Sequence, residues 1–327
     1  MKKILIFLSA AFLTGPLNFA QTVTLTFAQP TPSDSAGFAT VSLPRGGNIV
    51  VPTLVNAPSY EGNATFASTV LTPTINPGWT PGAFAETNFA SPAPNYPTYY
   101  VEITAGTYEG YSFDIITNDA STLTVPSGDI PAALVGQTMQ IAVRKHVTLD
   151  AIAAGQSGLT AYVDALNVIN SDGTTSTRYF TGTSWVAEDY SSRAGQTVIY
   201  PATGFTITTA GAVQLVLAGS VKATITAVPL YTGPVNVVGP LNPVAGTLLV
   251  NSNLASAMAP YVDVFNVYST DGTVKLTGTY YSDGTNILNS SYSPLSANAT
   301  DTIPANSGVF LSSSRATFWM LQPAVFP

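Results

Sequence analysis

"YVDALNVINSDGT" spans Tyr162–Thr174, and "YVDVFNVYSTDGT" spans Tyr261–Thr273. Set side by side without a gap, they agree at eight positions: Tyr162/Tyr261, Val163/Val262, Asp164/Asp263, Asn167/Asn266, Val168/Val267, Asp172/Asp271, Gly173/Gly272 and Thr174/Thr273. Each runs into Asp-Gly, a pair that tolerates positive φ in a hairpin turn. The stretch reads as one strand and its following turn, written once per copy of a repeated unit.

Further matches lie on both sides. "TL" at Thr148-Leu149 recurs at Thr247-Leu248, "RYFTGTSW" (Arg178–Trp185) faces "TYYSDGTN" (Thr279–Asn286), and "YPATGF" from Tyr200 faces "IPANSGVF" from Ile303. Upstream, "ATV" and "NIVVP" (Ala39–Val41, Asn48–Pro52) resemble "ATI" and "NVVGP" (Ala223–Ile225, Asn236–Pro240). A long stretch separates Pro52 from Thr148, whereas only six residues separate Pro240 from Thr247. That difference predicts a duplicated β domain with a module inserted into a loop of the first copy, where an insertion costs few contacts. The first copy is expected at 38–56 plus 147–222, the insert at 57–146 and the second copy at 223–327, after an N-terminal segment at 21–37.

Composition agrees with strands. Charged residues are 8% of the chain, against roughly 25% in an average soluble protein. Their place is taken by Thr, Ser, Asn, Gly and Tyr, which suit strands and turns better than exposed helices. Short runs such as "TVTLTFA" (Thr22–Ala28), "YYVEIT" (Tyr99–Thr104) and "QLVLAG" (Gln214–Gly219) are broken by Gly, Pro, Asn and Asp. The expected fold is all-β: a duplicated antiparallel β-sandwich-like domain, with a small β-barrel-like module in the first copy.

The start, "MKKILIFLSAAFLTGPLNFAQT", has the basic Lys2 and Lys3, an apolar run from Ile4 to Leu13 and a helix-breaking Gly15-Pro16. This is the pattern of a secretory signal peptide, expected over 1–20. The apolar run is too short for the roughly 20 residues of a membrane span, and no later run is long enough, so the mature chain is expected to be exported without a span. It would lie outside the cell, at its surface or in the periplasm. Ten Lys and Arg against 17 Asp and Glu give a net charge of −7, which disfavours nucleic acid as a partner. Cysteine is absent, so disulfides and thiolate metal sites are excluded.

"GFATVSLPRGG", "TYYVEITAGTYEGYSFDI", "STLTV" and "IAVRKHVTL" together resemble a family of exported bacterial proteins of unknown function, multiplied in verrucomicrobial genomes. The resemblance covers most of the mature chain and implies export and architecture, with no activity to carry over. It also implies two Tyr-rich hairpins ending in Gly-x-Trp. The first is present at Tyr179, Phe180, Gly182 and Trp185; the second keeps Tyr280, Tyr281 and Gly284 but has Ile287 where Trp is expected.

Reactive groups are sparse. His146 is the one histidine, and no Gly-x-Ser-x-Gly elbow accompanies it, so a hydrogen-bonded structural histidine is expected. Glu102, Glu109 and Asp114 on neighbouring strands, or Glu188 and Asp189, are the carboxylates that could approach one another as a glycosidase pair. Asp164, Asn167 and Asp172, with Asp263, Asn266 and Asp271, offer oxygen ligands of the kind calcium takes, although turns account for the Asp-Gly pairs. No catalytic residue, metal site or cofactor is therefore assigned.

Sixteen tyrosines and three tryptophans remain. Aromatic faces stack on sugar rings while neighbouring polar groups take the hydroxyls. Tyr179, Trp185, Tyr280 and Tyr281, near hairpin tips, are the residues expected to be exposed for such binding. The functional expectation is a non-catalytic structural or surface protein. A carbohydrate-binding or adhesion protein is the alternative, and a polysaccharide-active enzyme stands third. Cell-surface polysaccharide and self-association through weakly charged strand edges are the partners considered.

Overall fold

The computed structural model describes residues 35–87, 96–153, 156, 158–170, 174–244, 246–268 and 276–323. The signal peptide expected over 1–20 and the turn residues Asp172, Gly173, Asp271 and Gly272 lie outside the described residues.

The chain enters through β1 (Ser35–Leu43) and β2 (Gly46–Val50). It then builds β3 (Pro58–Phe66), β4 (Val70–Pro73), β5 (Tyr99–Ile103), β6 (Ser112–Asp114), β7 (Thr117–Asn118), β8 (Leu123–Thr124) and β9 (Thr138–Lys145). Next come β10 (Val147–Thr148), the short helix α1 (Leu149–Ala153), β11 (Ala165–Ile169), β12 (Thr175–Phe180), β13 (Trp185–Val186), β14 (Val198–Ile199), β15 (Phe205–Thr209) and β16 (Val213–Val221). The last group is β17 (Thr226–Leu230), β18 (Gly233–Val238), β19 (Thr247–Leu248), β20 (Val264–Tyr268), β21 (Leu276–Ser282), β22 (Ile287–Leu288), β23 (Thr302–Ile303), β24 (Val309–Ser313) and β25 (Thr317–Leu321). The protein is all-β, and its ladders are antiparallel.

Two five-stranded sheets repeat one another strand for strand. One has the order β13-β12-β11-β15-β2, the other β22-β21-β20-β24-β18. Each is accompanied by a two-stranded ribbon, β1-β16 or β17-β25, and by a short pair, β10-β14 or β19-β23. Alternation dictates how they pack, because successive side chains point to opposite faces. Leu43 of β1 and Leu215 of β16 thus share one core with Leu166 of β11 and Phe205 of β15. Val228, Trp319, Phe265 and Val309 do the same in the other half. Ribbon over sheet around one apolar layer is a sandwich-like arrangement.

Register corrects at least three of the sequence matches. The first is "RYFTGTSW", out by one against "TYYSDGTN", because Leu166 faces Arg178 while its counterpart Phe265 faces Tyr280. Leu149 donates its N–H to Thr197, and Leu249 donates to Asp301, so Leu149 is equivalent to Leu249 and not to Leu248. The "TL" match is out by one residue. Val41 lies opposite Leu215 and Val228 opposite Trp319, which makes Val41 equivalent to Val228 and leaves "ATI" (Ala223–Ile225) ahead of the matching strand. By contrast, Asn48 pairs with Ile207 and Asn236 with Leu311, so "NIVVP" and "NVVGP" occupy equivalent places.

Strands β3 to β9 pair among themselves in a seven-stranded sheet of order β6-β5-β9-β3-β4-β8-β7. Its strands curl around a core containing Phe66, Leu71, Val101, Phe113, Leu123 and Ile141. The barrel is not closed by a ladder. The Ile115 N–H donates to the carbonyl of Tyr99, the first residue of β5, but the next residue, Ile116, donates to Thr124 of β8. The segment Ser112–Asn118 therefore changes partner in mid-course and joins the two sheet ends by chain continuity alone. No described helix is long and apolar enough to cross a membrane.

Candidate functional site

The repeated aspartates are clasps. Asp164 is fully buried; its Oδ2 accepts the N–H of Thr160 at 2.7 Å and its Oδ1 the N–H of Ala210 at 2.7 Å. Asp263 accepts from Ala259 at 2.8 Å and from Ser314 at 2.7 Å. Each carboxyl pins the turn before the central strand to the turn that carries the chain from the sheet into the ribbon, β15 to β16 or β24 to β25. Backbone N–H donors at both oxygens give Asp164 and Asp263 a structural role in the turn, and the other aspartates of the calcium reading, Asp172 and Asp271, lie outside the described residues. Asn167 and Asn266 take cross-strand bonds from Thr177 at 3.0 Å and Thr279 at 2.9 Å. Among the described residues no group of three His, Asp or Glu could hold a metal ion.

The clasped turn presents a tyrosine outward. Tyr162 and Tyr261 have φ of 58° and 59°, and both donate their N–H across the sheet, to Phe180 and Ser282. Tyr190 and Tyr292 also have positive φ, 56° and 58°. All four are more than half exposed. Positive φ is unfavourable for a bulky residue, so four such tyrosines in two matched pairs mark positions held by the surrounding structure. Tyr179 stacks on Tyr190 with ring centroids 4.5 Å apart at 25°, and Tyr281 stacks on Tyr292 at 4.5 Å and 28°. Tyr162 lies 6.4 Å from Tyr190.

Two of the four residues expected to be exposed are therefore at the surface, and two are not. Tyr179 and Tyr281 are half-buried at equivalent places on β12 and β21. Trp185 is only 1% exposed, and its indole Nε1 donates to the Leu149 carbonyl at 3.1 Å. Tyr280 is 8% exposed, stacks on Phe265 at 5.2 Å and donates its hydroxyl to Asp301 at 2.7 Å. Burial, then Asp301, raises the Tyr280 phenol above the ordinary tyrosine value. Strand alternation is the reason: on β21, Tyr280 and Ser282 face inward and Tyr281 faces outward. Tyr162, Tyr190, Tyr261 and Tyr292 were missed as site residues. The signal for Tyr190 and Tyr292 was a single tyrosine between serines or acids in "EDYSS" and "SSYSP", following the two Tyr-rich hairpins.

The carboxylates considered for catalysis are engaged elsewhere. Glu102 is buried between Arg144 at 2.6 Å and Lys222 at 3.2 Å. Lys222 also donates to Thr224 and Ile225, and Arg144 to the Asn56 carbonyl. Glu109 accepts the Ile225 N–H at 3.0 Å. Asp114 accepts the Tyr200 hydroxyl at 2.6 Å and meets Nε2 of His146 at 3.0 Å. His146 is buried between the rings of Tyr100 and Tyr200. Glu188 accepts the Thr177 N–H, while Asp189 caps Ser191 and Ser192. The Ser192 contacts, chiefly its hydroxyl, bring the Asp189 pKa down to about 2.

The fold and these surfaces define an all-β, sandwich-like protein carrying a duplicated cluster of exposed tyrosines. No protein-family model, no curated protein and no solved structure matches the chain.

Proposed function

We propose that the chain is an exported, non-catalytic β-rich surface protein that holds polysaccharide on its two tyrosine clusters. The observation that carries this reading is the recurrence of one stack, a half-buried strand tyrosine under an exposed turn tyrosine, Tyr179–Tyr190 and Tyr281–Tyr292, at equivalent places in the two halves. A phenol face gives apolar contact to a sugar ring, and its hydroxyl serves the sugar's own hydroxyls. Two sites on one chain suit a repeating polymer, since engaging the second becomes intramolecular. The basic and apolar start of the chain and the resemblance described above support export. The duplicated unit with an insert at 57–146 is part of the same proposal. The enzyme reading has less support, because Glu102, Glu109, Asp114 and Glu188 are all bonded to groups of the scaffold.

The test is retention of the purified protein on a panel of insoluble polysaccharides, cellulose, chitin and xylan among them. Tyr190→Ala or Tyr292→Ala should lower retention about tenfold and the double variant should abolish it. Equal retention of the double variant, or none of the wild type, would remove the binding part of the proposal. A free monomer in native cell fractions, with no surface-attached pool, would remove the surface part.

A further inference from the structure

We propose that the cavity where the three groups of sheets meet is a binding site for an organic cation, a protonated or quaternary amine. The cavity holds about 460 Å³, within the range of small-ligand pockets. The seven-stranded sheet and its turns supply Tyr111, Asp114 and Asp129; Tyr200 follows β14; Tyr231 and Phe318 come from the β17-β25 side. Tyr200, Tyr231 and Phe318 are each partly covered but keep more than a third of their surface open, and Tyr111 packs on Phe318 with ring centroids 5.0 Å apart. Aromatic rings grouped around a surface cavity are the kind of surface that makes contacts.

The charges specify its sign. Three carboxylates, Glu102, Asp114 and Asp129, reach the cavity wall. The two nearby cations, Arg144 and Lys222, are both buried and both bonded to Glu102. Asp114 is held by Tyr200 and His146, and no Lys or Arg among the described residues pairs with Asp129. Partial burial, and after it the Asp114 charge, raise the Asp129 carboxyl above its ordinary value. On the same wall the hydroxyl of Thr226, only 6% exposed, has no hydrogen-bond partner. Carboxylates inside an aromatic rim favour a cation, which is attracted by both the charge and the ring faces. A neutral sugar would use the rings but would leave the two aspartates in mutual repulsion.

Choline, its neutral isostere with carbon in place of the ammonium nitrogen, and methyl glucoside separate the possibilities by calorimetric titration of the full chain. Choline should bind at least tenfold more tightly than the isostere. Asp129→Asn and Phe318→Leu, both at exposed positions, should each weaken choline about tenfold. Tyr190→Ala should leave it unchanged, so this result stands or falls apart from the polysaccharide reading. Thermal unfolding of each variant checks that it is folded. Equal affinity for the isostere, tighter binding of methyl glucoside, an unaffected Asp129→Asn protein, or no binding at all would overturn the proposal.

Discussion

Val51 donates its backbone N–H to the carbonyl of Asn306 at 3.1 Å. The same bond recurs from Gly239 to Ala202 at 3.0 Å, each donor being the residue after equivalent strands β2 and β18. Ala202 and Asn306 both have positive φ, 62° and 55°. Each half thus lends a strand end to the other, and the two halves are joined reciprocally. Close approach at this crossing requires small residues, and Gly204, Gly239 and Gly308 surround the Val51 side chain.

Gly308→Ala would place a Cβ 2.5 Å from the Val238 carbonyl oxygen, and Gly204→Ala one 2.6 Å from that of Val50. Backbone cannot yield as a flexible side chain does. Each substitution should destabilise by about 1–3 kcal/mol in urea unfolding. Gly37→Ala on β1 meets nothing within 4 Å and should change stability by less than about 0.5 kcal/mol.

Asp164→Ala and Asp263→Ala should cost similar amounts, about 2–4 kcal/mol, because each removes a buried acceptor from two backbone donors. Chelator should not move the unfolding midpoint of the wild type through these residues. A midpoint that fell with chelator and recovered with calcium would contradict the clasp assignment.

Burial followed by the Asp114 charge raises the Tyr200 phenol, and burial followed by its bond to Asp301 raises Tyr280. Raised folded values mean that this stabilisation is complete below the unfolded tyrosine pKa, about 10, and is lost as pH climbs above it. Ultraviolet titration of the native protein should show Tyr200 and Tyr280 among the tyrosines that ionise late, together with the onset of unfolding. In Tyr280→Phe one late phenol should disappear. Tyrosines that all ionise near the ordinary value before any unfolding would refute this.

Large core residues are exchanged between the halves. Copy one has Trp185 and Leu215 where copy two has Ile287 and Trp319, and both pairs lie in their apolar cores. Each indole reaches a carbonyl of a short helical turn, Leu149 for Trp185 and Ser252 for Trp319. Trp185→Ile should cost about 2–4 kcal/mol. Adding Leu215→Trp should recover more than 1 kcal/mol of it if the two positions fill one space. Strict additivity in the double-mutant cycle would show that they do not.

Local patterns in the chain were enough for the all-β class. Asp164 and Asp263 stand out because a clasp of fixed geometry tolerates no insertion between turn and strand. Even so, "TL" and "ATI" were each misaligned, since short strand motifs look alike and only ladder register separates them. The tyrosine site was half legible: Tyr179 and Tyr281 were marked, but their stacking partners Tyr190 and Tyr292 lie in turns that carry no periodicity.

The sequence alone determined that this chain is all-β, built on a repeated strand and turn, poor in charge and without cysteine chemistry. These are properties of composition and of neighbours along the chain, which period-two alternation and turn chemistry express directly. Only the tertiary structure decided which aromatics are core and which are surface. Trp185 and Tyr179 are six residues apart, yet one fills an apolar layer and the other stacks at the surface, half-buried under Tyr190. It also brought Glu102, Arg144 and Lys222 together and put Asp114 and Asp129 on the wall of one cavity. Burial and charge pairing depend on what a distant segment places across the gap, and no local pattern encodes that.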